Sequence, residues 1–185
     1  MHKTVMIFIL AVMLLSGCSN KKEREAEAMS NYVSFRDAII DNNGLTSENI
    51  PFSHRLEVNK LTDGRFEYVV TICDADVAMY NIEWMIYDKS IDNGKNEEIF
   101  PTYGIIDEDT KDFTMLPFQS RKEKNFVYGM QLSGISQTPK FSLNILVTWK
   151  DYSKTNTYRA FFNYDYEYTE SEEAPVENTE GESNS

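Results

Sequence analysis

The chain has 185 residues, 41% of them apolar and 13% aromatic, with 30 acidic against 18 basic residues and a formal net charge of −12. That balance lacks the positive footprint that phosphate contact needs, so nucleic acid is not an expected partner. The 11 Tyr, 11 Phe and 2 Trp residues exclude a wholly disordered chain and favour a folded, β-rich one.

In chain order, His2 and Lys3 form a short basic segment, and Val5 to Leu15 is an apolar run of about 11 residues. Such a run is too short to cross a hydrocarbon core, which needs roughly 20 residues. Ser16 and Gly17 supply the small residues of a cleavage site, and Cys18 follows them directly. Leu15-Ser16-Gly17-Cys18 resembles the lipobox of bacterial lipoproteins, a motif that covers only residues 1–18 of this chain. The resemblance implies that the Cys18 thiol receives a diacylglycerol by thioether linkage. It also implies cleavage before Cys18 and, in many bacteria, acylation of the new amine. The expected location is therefore the extracytoplasmic face of a bacterial membrane, held by lipid on Cys18. Removal of residues 1–17 takes Lys3 with it and leaves 17 basic against 30 acidic residues, a net charge of −13. The lipobox, tether and β-domain together resemble those of small Gram-positive lipoproteins.

Residues 18–29 are polar and rich in Glu and Lys, which is the composition of a tether. Lys21, Lys22 and Arg24 would face the membrane, but Glu23, Glu25 and Glu27 interleave with them and make the segment a solvated one. The domain is expected over residues 30–168. Its first element is a short amphipathic helix over 31–43, with Tyr32, Phe35 and Ile39 on one stripe and Val33 and Ile40 beside it. Ser30 or Asn31 would cap its start, and Asn42-Asn43-Gly44 would stop it. This stripe reads as a face packed on the following sheet.

From Phe52 the apolar period changes to two. Leu56 and Val58 alternate with polar neighbours, Asp63-Gly64 predicts a two-residue type I′ turn, and Phe66, Tyr68, Val70 and Ile72 return on one face. Further strands are expected at Asn81–Tyr87, Ile99–Ile106, Phe113–Phe118, Phe126–Ser133, Phe141–Trp149 and Thr157–Tyr168, with a turn at Asp92-Asn93-Gly94. Pro101 and Pro117 confine two of them to edges or irregular segments. About eight short strands separated by turns predict a mainly β fold, an antiparallel β-sandwich preceded by one short N-terminal helix. Cys73 followed by Trp84 resembles the strand B Cys and strand C Trp of immunoglobulin domains, but no Cys follows position 73, so the resemblance extends to architecture and not to the disulfide. With Cys18 lipidated, Cys73 has no partner, and its apolar surroundings suggest a small buried hydrophobe rather than a reactive thiol. Residues 169–185 carry no aromatics and read as a disordered, solvated acidic tail.

No motif for catalysis emerges. His54 is the only histidine after the signal segment, and no G-x-S-x-G element accompanies it. Zinc in His/Cys style would have only His54 and Cys73 to draw on. The oxygen-rich run Asp107-Glu108-Asp109-Thr110-Lys111-Asp112 is the best calcium candidate through Asp107, Asp109 and Asp112, although Lys111 and Asp112 break the EF-hand pattern. Asp74 and Asp76 form a second acidic pair. The row Tyr158, Phe162, Tyr164, Tyr166 suits either a core face or a sugar-stacking platform, and the core reading is preferred. No cofactor is implied. The expected function is a non-catalytic, membrane-anchored binding module for a protein, peptide or glycan. The alternative is an accessory or carboxylate-dependent hydrolytic enzyme of envelope polysaccharide metabolism.

Overall fold

The computed structural model describes residues 2–91, 99–106, 112–118, 123 and 125–169, with side chains from Lys21 onward. The expected turn at Asp92–Gly94, the calcium candidates Asp107 and Asp109, and the tail from Glu170 lie outside the described residues.

The first element, α1 (His2–Asp41), is a single helix. The expected helix over 31–43 is its C-terminal part, and the segment 18–29 read as a tether is helical as well. Ser30 therefore caps nothing: it sits inside the helix, and its carbonyl accepts a hydrogen bond from Ser34 Oγ at 3.0 Å. The helix stops where the Asn-Asn-Gly sequence says it should. Asn43 adopts a left-handed φ of 51°, Gly44 one of 75°, and Asn42 Nδ2 donates to the Leu45 carbonyl at 2.6 Å.

Seven strands follow among the described residues: β1 (Ser53–Lys60), β2 (Phe66–Cys73), β3 (Tyr80–Asp88), β4 (Thr102–Tyr103), β5 (Gly129–Ser136), β6 (Lys140–Lys150) and β7 (Thr157–Glu167). They form two antiparallel sheets, ordered β1-β2-β5 and β4-β3-β6-β7. Relabelled A to G, this is the A-B-E and C′-C-F-G order of immunoglobulin-type sandwiches, without a strand D among the described residues. Phe113–Phe118 contributes only isolated bridges, Met79 to Met115 and Thr114 to Phe126. The β1–β2 hairpin departs from the expected turn. Leu61 and Arg65 flank a three-residue loop in which Gly64 alone takes positive φ, at 86°, so the turn is a three-residue type closed by a left-handed glycine and not a two-residue type I′.

The period of two decides which side chains meet between the sheets. Tyr68, Val70 and Ile72 from β2 face Ile82, Trp84 and Ile86 from β3 and Leu143, Ile145 and Val147 from β6, all of them buried. The opposite face of the second sheet is also covered. Tyr32, Phe35 and Ile39 of α1 pack on Met85 and Tyr87 of β3 and Leu146 of β6, with Phe100 and Ile105 closing the cluster. Phe100 N–H donates to Tyr32 Oη at 2.9 Å and locks the helix to the chain after β3. This double coverage explains the unbroken apolar run Trp84-Met85-Ile86-Tyr87. The first sheet has one wet face, bearing Arg55, Glu57, Glu67, Gln131 and Ser133.

Candidate functional site

The α1 helix runs along the second sheet with its C-terminal end near the start of β6, where Gly44 approaches Asn144. Its earlier turns therefore lie over the end of the sandwich that carries the β2–β3 and β6–β7 loops. There a cleft of about 700 Å³ opens between helix and sheet. Arg24, Glu27, Asn31 and Ser34 line it from α1, Asn81 and Glu83 from β3, Thr148 and Lys150 from β6, and Asp112 from the segment after β4.

Local backbone geometry builds one wall. The β3–β6 register shifts between Tyr80 and Glu83, and Asn81 takes φ of 49° at that irregularity. Asp112 is also left-handed, at 68°. Asn and Asp tolerate this region better than other residues with a Cβ. Asn81 Nδ2 donates to Asp112 Oδ1, while the buried Asn81 Oδ1 has no hydrogen-bond partner among the described residues. Thr148 Oγ1 donates weakly to Glu83 Oε2, at 3.5 Å. The cleft thus presents two cationic and three carboxylate side chains with amide and hydroxyl groups between them, a lining suited to a polar, hydrogen-bonding ligand.

A second, more apolar groove of about 450 Å³ lies at the same end, lined by Pro51, Val77, Ala78, Trp149 and Tyr158 with Asn49, Asp151 and Arg159 at its margin. Trp149 and Tyr158 stack with 6.0 Å between centroids and 18° between planes. The aromatic row of β7 is therefore divided. Phe162 is buried in the core, Tyr164 and Tyr166 pack against it, and Tyr158 stands half exposed at the mouth of the sandwich.

The other singled-out residues are dispersed. His54 stacks on Phe162 at 4.2 Å, and its Nδ1 lies 2.6 Å from Tyr164 Oη, joining β1 to β7 across the open side of the sandwich. Burial lowers the His54 pKa below its ordinary value and pushes Tyr164 up to about 12, so a neutral imidazole and a protonated hydroxyl share this hydrogen bond. Cys73 corrects its expectation. It is the last residue of β2 and points to the outer face, half buried, where Sγ lies 3.1 Å from Asp74 Oδ2 and 3.9 Å from Arg55 Nη1. Ile72, and not Cys73, faces the core that also holds Trp84. Burial, reinforced by Asp74, raises the thiol pKa, so it remains protonated and a weak nucleophile. Asp112 belongs to the cleft, and Asp74 and Asp76 to the β2–β3 loop. Among the described residues no three His, Cys, Asp or Glu side chains gather in metal-binding geometry. Cys18 lies on α1, its side chain outside the described set.

Of the cleft residues, Asn81, Glu83 and Lys150 were not singled out from sequence, and Arg24 and Glu27 were read there only as solvated charges of a tether. One cue existed: Glu83 is a charged residue inside an apolar strand, and such residues mark an exception to packing. Comparison of the chain with protein-family models, curated proteins and solved structures finds no match.

Proposed function

We propose that this chain is a lipoprotein anchored through Cys18 at the extracytoplasmic face of a bacterial membrane, where its sandwich serves as a non-catalytic binding module. The observation that carries the anchor is Leu15-Ser16-Gly17-Cys18 behind a short apolar run and a basic start. Thioether diacylglycerol with a further acyl chain would hold the protein stably, where one chain alone binds marginally. The continuity of α1 from this motif into its packing on β3 and β6 supports a domain held in a defined orientation. The polar cleft beneath α1 is the proposed ligand surface, because it gathers charged, amide and hydroxyl side chains around Asn81, whose buried Oδ1 has no hydrogen-bond partner among the described residues. The anchor is tested by metabolic labelling with palmitate. Cys18→Ala is expected to lose the label and move from the membrane to the soluble fraction, and unchanged retention would refute the anchor.

A second reading, carboxylate-dependent hydrolysis of envelope polysaccharide, draws on one observation: Glu27, Glu83 and Asp112 share the cleft. It requires that purified protein cleave envelope glycan fragments and that Glu83→Gln or Asp112→Asn reduce the rate at least 100-fold. Absence of turnover in the wild-type protein eliminates it.

A further inference from the structure

We infer that the sandwich end bearing the β2–β3 and β6–β7 loops rests on the headgroups of the membrane to which Cys18 is attached. This deepens the lipoprotein reading and depends on it. Among the described residues ten large apolar side chains are exposed, and six cluster at this one end: Met29, Val77, Phe118, Tyr128, Tyr152 and Tyr158. Their placement follows from the fold. Tyr152 and Tyr158 flank the β6–β7 turn, and Val77 lies in the β2–β3 loop. Tyr128 precedes Gly129, which pairs with Cys73, and Phe118 stands three residues past Met115, which bridges Met79. Met29 is on α1 between cleft-lining Ala28 and Ser30. Phe118 is fully exposed and Tyr152 is 82% exposed. Solvation of that much aromatic surface on one rim is unfavourable, whereas the membrane interface is where Tyr and other aromatic rings sit best.

Distances along the elements place this rim and the anchor at one level. Arg24 and Glu27 share the cleft with Lys150 and Thr157. Cys18 lies six residues before Arg24, about 9 Å along a helix. The β6–β7 turn projects about three residues past Lys150, about 10 Å of extended chain. The lipid on Cys18 and the tip at Tyr152 are therefore presented to the same plane.

Charge assists locally. Lys150, Lys154 and Arg159 stand on this hairpin against Asp151, whose carboxylate is turned inward to Ser153, Thr155 and Asn156. Asp74, Asp76 and Asp112, with the mixed charges of Lys21 to Glu27, oppose any larger positive field at this end. The aromatic rim, more than net charge, makes the contact with lipid.

The test uses the full acylated protein in vesicles of phosphatidylethanolamine and phosphatidylglycerol, with brominated lipid as a fluorescence quencher. Trp84 and Trp149 are buried, so a new indole dominates the lipid-dependent signal. Tyr152→Trp is expected to be quenched at least threefold more than Leu45→Trp, which lies beyond the other end of α1. Equal quenching in protein that is acylated and vesicle-bound would overturn the docking and leave the anchor intact. Protein whose Cys18 is unmodified and which fails to float with vesicles would overturn the anchor, and the docking with it. A Tyr152→Trp signal that depends on protein concentration without lipid would assign the rim to a second copy and equally overturn the proposal.

Discussion

His54 is the residue with the most definite chemical consequence, and that consequence is structural. Its ring is sandwiched beside Phe162 and Phe52 and hydrogen-bonded to Tyr164. Because burial lowers its pKa, the folded protein resists protonation more than the unfolded chain does. The unfolded state then binds more protons, and stability is lost as pH falls through about 6.5. The thermal midpoint is expected to drop between pH 7.5 and pH 5.5, and His54→Gln to flatten that slope. Asp88 acts in the opposite sense but elsewhere: burial raises its pKa, so its cost appears as pH rises above the ordinary carboxyl range near 4. A second residue-scale test concerns Gly134. A Cβ there would run into Tyr68 Oη, with the ring itself behind it. Tyr68 is fully buried, so its ring can shift only at the expense of the surrounding packing. Gly134→Ala is expected to cost about 1–3 kcal/mol of stability, read as a fall of several degrees in the thermal midpoint. At this scale the sequence was a partial guide. Apolar alternation identified Tyr68, Ile72, Trp84 and Phe162 as core, because burial follows directly from period. It misplaced Cys73, because at a strand end one position separates the inner face from the wet one.

At the scale of elements, the attachment of α1 decides whether the cleft exists at all. Phe35 is 8% exposed and fills the space between the helix and the outer face of the second sheet. Phe35→Ala is expected to destabilise by about 3–5 kcal/mol in chemical unfolding, and to raise hydrogen exchange in Tyr32–Asp41 more than in β2. The stripe Tyr32, Phe35, Ile39 was legible because a helix shows its buried face every three to four residues. The helical course of residues 18–29 was not, since a polar segment carries no such stripe and its course depends on the helix that follows. The β1–β2 turn shows a similar limit: Asp63-Gly64 marks the site of reversal, while the loop length depends on where Leu61 and Arg65 close the ladder. Pro101 correctly confines its segment to an edge, where β4 keeps only Thr102 and Tyr103. The cleft escaped sequence reading for a topological reason. Arg24, Glu27, Glu83, Asp112 and Lys150 come from four separated segments, and no local spacing brings them together.

At the scale of the whole molecule, the two ends of the sandwich differ in kind. One carries the aromatic rim, the cleft and the helix leading to Cys18. From the other emerges the chain beyond β7, whose last residues include six Glu and no base after Thr169. An anchored protein with this polarity turns its apolar rim towards lipid and the end of β7 away from it. All of this depends on the fate of Cys18, and the most direct measurement is the intact mass of the protein extracted from bacterial membranes. The expected species begins at Cys18, lacks residues 1–17 and carries the added mass of two or three acyl chains. A membrane-extracted chain with an unmodified Cys18, or one that retains its first 17 residues, would contradict the account.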